Sequence, residues 1–78
     1  MKSHVFGNLI AIVILYIGTV DSIDAGFASV EVTASDNKIR EFKMPTQMFP
    51  CDISEQDMFY LVYDKDLVEI RCGEPPVN

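Results

Sequence analysis

Tryptophan is missing from this chain, histidine occurs once and cysteine only twice. The single histidine, His4, stands near the start, so the body of the chain cannot assemble a Ser–His or Cys–His nucleophile pair. Two cysteines without a histidine also make a poor zinc site, which asks for three or four nitrogen and sulfur ligands. The four glycines are scattered, and no phosphate-cradling glycine loop exists. No Asn-x-Ser/Thr sequon occurs, because Asn8 and Asn37 are each followed two positions on by isoleucine. Asp64-Lys65-Asp66-Leu67-Val68-Glu69 faintly suggests a calcium loop, but it lacks the glycine at the sixth position and the glutamate at the twelfth. Carboxylate pairs do exist, Asp64 with Asp66 and Glu55 with Asp57. Acid–base work would require a cleft that drives their pKa values apart, and a domain of this size barely closes one core. The expectation is a non-enzymatic protein with no cofactor, no metal and no catalytic residue.

Long hydrophobic runs are also lacking. The best candidate, Val5 to Val20, is 16 residues long and is interrupted by Gly7, Asn8, Gly18 and Thr19. A spanning helix needs about 20 apolar residues. A weakly basic start, a short apolar stretch and small residues beyond it (Ala25, Gly26, Ala28) instead fit a secretory signal peptide over residues 1–28. Cleavage is expected after Ala28, or else after Ala25. An uncleaved membrane anchor is the alternative. In both cases Lys2 stays inside and the rest of the chain crosses, so the domain is secreted or periplasmic, or anchored outside the cytoplasm.

What remains, residues 29–78, is acidic. It holds ten Asp and Glu against Lys38, Arg40, Lys43, Lys65 and Arg71, a net charge of −5. Phosphate backbones and anionic lipid are repelled by such a domain, so nucleic acid is excluded as a partner, and membrane contact is expected only if the leader stays on. The charge is unevenly spread: residues 51–78 carry seven acids against two bases, while Lys38-Ile39-Arg40-Glu41-Phe42-Lys43 holds three of the five bases. These two regions either pair within one molecule or make a head-to-tail contact between molecules.

Cys51 and Cys72 are separated by twenty residues. Redox pairs are usually spaced Cys-x-x-Cys, and Asp52 beside Cys51 would disfavour a thiolate. A domain of some fifty residues buries too little surface to be comfortably stable, and exported domains of this size commonly carry a disulfide. Cys51–Cys72 is therefore expected to be a structural staple.

The rest reads as strands. Ala28–Ala34 alternates apolar and polar residues, Ser35–Lys38 is a turn, and Ile39–Met44 returns, forming a first hairpin. Met58–Tyr63 is the strongest strand signal, Asp64–Asp66 the turn, and Leu67–Cys72 the partner strand. A two-residue loop pairs Tyr63 with Val68, Leu61 with Ile70 and Phe59 with Cys72, leaving Glu69 and Arg71 on the other face. A three-residue loop would exchange the faces. Pro45 and Pro50 confine the connection to a loop or edge, and residues 73–78 form a Pro-rich tail.

The expected fold is thus all-β: a small antiparallel sheet or partly closed barrel of about four strands in two hairpins, over residues 29–72, following an N-terminal signal or anchor helix. Strand Met58–Tyr63 is apolar on both faces, so either the Met48-Phe49 loop folds over its second face or a partner does. Met58, Tyr60, Val62 and Arg71 are the candidate interface, because tyrosine and arginine favour interfaces. The functional expectation is binding to another protein by a monomer. The alternatives are an anchored accessory subunit and a self-assembling structural protein.

Overall fold

The computed structural model describes residues 13–76. They form one five-stranded antiparallel sheet, β1 (Val13–Asp24), β2 (Phe27–Thr33), β3 (Ile39–Pro45), β4 (Met58–Asp64) and β5 (Leu67–Cys72), in the order β3-β2-β1-β4-β5. The first three strands are a meander. The chain then returns over residues 46–57 to lay β4 against the free side of β1, which is Greek-key order, and β5 adds a hairpin. Among the described residues β3 and β5 are left as edges, so this sheet is open and does not close into a barrel.

Both expected hairpins are present. β2 pairs with β3 from Phe27↔Pro45 to Thr33↔Ile39. The turn between them is held by Asn37 in a left-handed conformation (φ 62°) and by an Asn37 N–H bond to the Ala34 carbonyl. β4 and β5 take the two-residue loop: Phe59↔Cys72, Leu61↔Ile70 and Tyr63↔Val68 stand opposite one another. Lys65 and Asp66 both have positive φ, which a type I′ hairpin turn demands. The Tyr63 hydroxyl donates to Asp66 Oδ1 at 2.7 Å and ties the turn to the strand.

Two expectations need correction. The sheet has five strands rather than four, and no helix is formed by the described part of the apolar leader. Residues 1–12, where the leader begins, lie outside the described residues. From Val13 to Asp24 the chain is β1, paired with β2 on one side and β4 on the other. Ala25 and Gly26, at an expected cleavage point, are the β1–β2 turn (φ 52° and 82°), and Ala28 is fully buried in β2. Among the described residues no helix is long and apolar enough to cross a membrane.

β1 owes its fit to two irregularities. Its register shifts between Ile14 and Tyr16 against β4, and between Val20 and Ser22 against β2. An extra residue in a strand swaps the faces beyond it. With Asp21 as that residue, Ile23 rather than Ser22 reaches the core face, opposite buried Ala28. Beyond Thr19 the β4 side of β1 is completed by the loop: the Val20 N–H donates to the Asp57 carbonyl and the Gln56 N–H to the Val20 carbonyl.

The core lies on one face of the sheet. Val20, Ala28, Val30, Val32 and Phe59 are buried there beneath Phe49, with Tyr16, Ile23, Met44, Ile53, Leu61 and Ile70 packed around them. Phe49 meets Phe59 edge to face, ring centroids 5.1 Å apart. The Met48-Phe49 loop therefore covers the Phe59 face of β4, not the Tyr60 face. Cys51 and Cys72 are bonded, with Cα atoms 6.5 Å apart. The staple holds this covering loop to the end of β5.

Gly18 stands opposite both Val32 and Phe59. A Cβ at this position would overlap the Phe59 ring. Replacing Gly18 with Ala is therefore expected to cost about 1–3 kcal/mol, read from urea denaturation. Adding Phe59→Leu to that variant should recover part of the loss; strictly additive effects would show that ring and glycine do not share the space. Removing the staple as C51S/C72S should lower stability by about 3 kcal/mol for a loop of this length. An unchanged urea midpoint would mean that the sheet holds its covering loop without the bond.

Candidate functional site

The register lines up residues on the uncovered face across all five strands. Ile39 stands opposite Thr33, Thr33 opposite Ile17, Ile17 opposite Tyr60, and Tyr60 opposite Arg71. Alternate residues of a strand share a face, so Thr19 and Met58 lie in the next row. Ile39 and Ile17 are exposed, and Tyr60, Met58 and Arg71 are half-buried. The expected interface residues Met58, Tyr60 and Arg71 are thus brought together. Val62 shares their face, but it is fully buried between Ile14 of β1 and Glu69 of β5 and presents no free surface.

Arg71 is held in place on this face. One of its guanidinium nitrogens, Nη2, lies 3.1 Å from Glu69 Oε1 and 3.6 Å from Asp64 Oδ2. The hydrogen bond to Glu69 keeps Arg71 charged and raises its pKa. Arg71 stands opposite Tyr60 in the β4–β5 ladder. Ile17 and Ile39 were not foreseen as part of the face. Ile17 was hidden inside the supposed leader, and only the β1 pairing places it next to Tyr60.

The covered face has its own depression where the loop leaves β3. A groove of about 400 Å³ is lined by Tyr16, Val32, Phe42, Met44, Met48 and Leu61. A larger and more polar hollow of about 650 Å³ runs along the loop from Thr46 to Ile53. Asp52 is its one titratable side chain, so it holds no acid–base pair. Among the described residues no group of three or more His, Cys, Asp or Glu side chains converges as metal ligands would.

The strongest local electrostatics lie in the β2–β3 turn. Arg40 grips Asp36 with Nη2 at 2.8 Å and Nη1 at 3.3 Å, and the Lys38 N–H donates to Asp36 Oδ1 at 3.0 Å. These donors favour the charged carboxylate, Arg40 most, and hold the Asp36 carboxyl at about 2. The folded value lies below the ordinary 3.8, so the pair's contribution is present above pH 3.8 and is lost as the pH falls through about 2. An NMR titration should find the Asp36 midpoint near 2 and, in Arg40→Gln, a midpoint moved toward the ordinary value. A midpoint indifferent to that substitution would contradict the assigned cause.

No family model, no curated protein and no solved structure matches this chain.

Proposed function

We propose that this chain is an exported, disulfide-stapled β domain that acts by binding another protein through the uncovered face of its sheet, not by catalysis. One observation carries the reading: the row Ile39–Thr33–Ile17–Tyr60–Arg71, with aliphatic, aromatic and guanidinium groups on a face that the covering loop leaves bare. An aromatic flanked by an oriented arginine and aliphatic side chains is the composition of an interface centre. Export is supported by the Cys51–Cys72 bond, which persists in oxidising compartments and is rare elsewhere. A mature chain that keeps this sheet begins at or before Val13, since cutting at Ala25 or Ala28 would remove its middle strand.

The test is site-specific photocrosslinking of the full chain in an exporting host. A photoreactive residue in place of Thr19, in the row next to Ile17 and Tyr60, should give one discrete adduct with a second protein. The same probe at Glu55, in the exposed part of the covering loop, should not. Tyr60→Asp should reduce the Thr19 adduct at least about tenfold, as the loss of an interface anchor does. Equal adducts from both positions, or none from Thr19, would overturn the reading. Intact mass on the same material should show β1 retained and the two thiol hydrogens missing. A chain beginning at residue 26 or 29 would overturn a mature domain built on this sheet.

A further inference from the structure

β3 and β5 are the two edges of the sheet and three strands separate them, so the bases of β3 cannot pair with the acids of β5 within one molecule. Each edge satisfies part of its charge locally. Arg40 is taken up by Asp36, which leaves Lys38 and Lys43 against Glu41, none of the three in an ion pair among the described residues, so the edge keeps a net positive charge. On β5 and its flanks, Arg71 is shared by Asp64 and Glu69, while Asp66 and Glu74 have no cation within ion-pair distance among the described residues.

Among the described residues the edges are also open. β3 pairs with β2, and β5 with β4, without a register shift, so no bulge twists either edge away. Each carries exposed apolar side chains beside its charges: Ile39 (67%) and Phe42 (50%) on β3, Leu67 (62%) and Val68 (57%) on β5. Phe42 borders the apolar groove next to β3. Like charges then decide which edges meet. Lys38 and Lys43 outweigh Glu41 and oppose a β3–β3 contact, and Asp64, Asp66, Glu69 and Glu74 outweigh Lys65 and Arg71 on β5 and its flanks and oppose a β5–β5 contact. Net charge favours the unlike pairing alone.

We propose that the β3 edge of one molecule takes the β5 edge of a second copy of this chain, head to tail, extending the sheet from molecule to molecule. Every neighbouring pair in the sheet is antiparallel, so β3 and β5 run the same way, and a translated copy offers its β5 parallel to β3. Such a contact is heterologous and does not close on itself. One edge-to-edge ladder buries little surface, which makes it weak and concentration-dependent. This association goes beyond the binding face proposed above, and uses neither Ile17, Tyr60 nor Arg71.

Sedimentation equilibrium of the oxidised full chain tests it. The average mass should rise with concentration without levelling at a dimer, and added salt should weaken the association. Two variants reverse the edges separately, K38E/K43E on β3 and V68K/E74K on β5. Each alone should associate at least about tenfold more weakly than the native chain. Mixing the two should restore assembly, because the glutamates of one meet the lysines of the other. Amide exchange on the native chain is a second reading that needs no variant: protection should grow with concentration in β3 and β5 together and not in β1. A native chain that stays monomeric throughout, a plateau at dimer, or a mixture that fails to assemble would overturn the proposal. None of these outcomes touches the Thr19 adduct, so the two readings fail separately.

Discussion

The contact between Gly18 and the ring of Phe59 fixes how this sheet is put together. β1 lies in the middle, and at its centre the backbone must come close enough to β4 for Phe59 to lie across it beneath Phe49. Glycine alone leaves that room, since any Cβ would enter the ring. Once Phe59 is seated, Val20, Val30 and Val32 close around it as the buried core. The covering loop then has an aromatic to rest on. The order of dependence therefore runs from the glycine to the ring, from the ring to the loop, and from the loop to the staple. The disulfide joins the last piece to the last strand and reinforces a cover already seated by packing.

The same arrangement makes the two faces unequal. A single sheet has two faces, and one loop of twelve residues can cover only one of them. Phe49 and Ile53 take the Phe59 side, so the Tyr60 side carries both apolar residues and charges. There Glu31 of β2 stands directly opposite Glu41 of β3, a like-charge pair that costs a few tenths of a kcal/mol or more. Lys43 stands diagonal to Glu31 and offsets part of that repulsion. Facing carboxylates beside Thr19 keep the β2–β3 half of this face wet, whereas the β1–β4 half, around Ile17 and Tyr60, is apolar. The division concentrates the free apolar surface between the central strands.

The hairpins were legible because each carries its own local code. Ser35–Lys38 and Asp64–Asp66 are turns by chemistry, and the segregation of Glu69 and Arg71 from Phe59 and Leu61 chose the two-residue loop, which the structure has. Pairing β1 was not legible, for a physical reason. A strand with neighbours on both sides is apolar or small on both faces, and Val13–Val20 has the hydropathy of an export signal as much as that of a buried strand. Its bulges at Leu15 and Asp21 also break the period-two pattern that would have marked it. The tendency of Val62 to be buried was missed for the same reason, because its cross-strand partner Ile14 sits in β1. The row that forms the candidate face was half visible: Tyr60 and Arg71 follow from the β4–β5 register, but Ile17 and Ile39 join them only through a pairing between distant parts of the chain.

That missed pairing also bears on the charges. Read as a linear sequence, the basic stretch at residues 38–43 and the acidic stretch after residue 51 look ready to neutralise each other. Inserting β1 between the two hairpins drives β3 and β5 to opposite edges, and at that separation solvent and salt screen most of their attraction. Each edge therefore compensates itself with short local pairs, Arg40 with Asp36 and Arg71 with Glu69 and Asp64. The charges left over, Lys38 and Lys43 on one side and Asp66 and Glu74 on the other, are in no ion pair among the described residues. A sheet that keeps unlike charges on its two open edges guards each edge against its own kind, while leaving the pairing of one edge with the other unopposed.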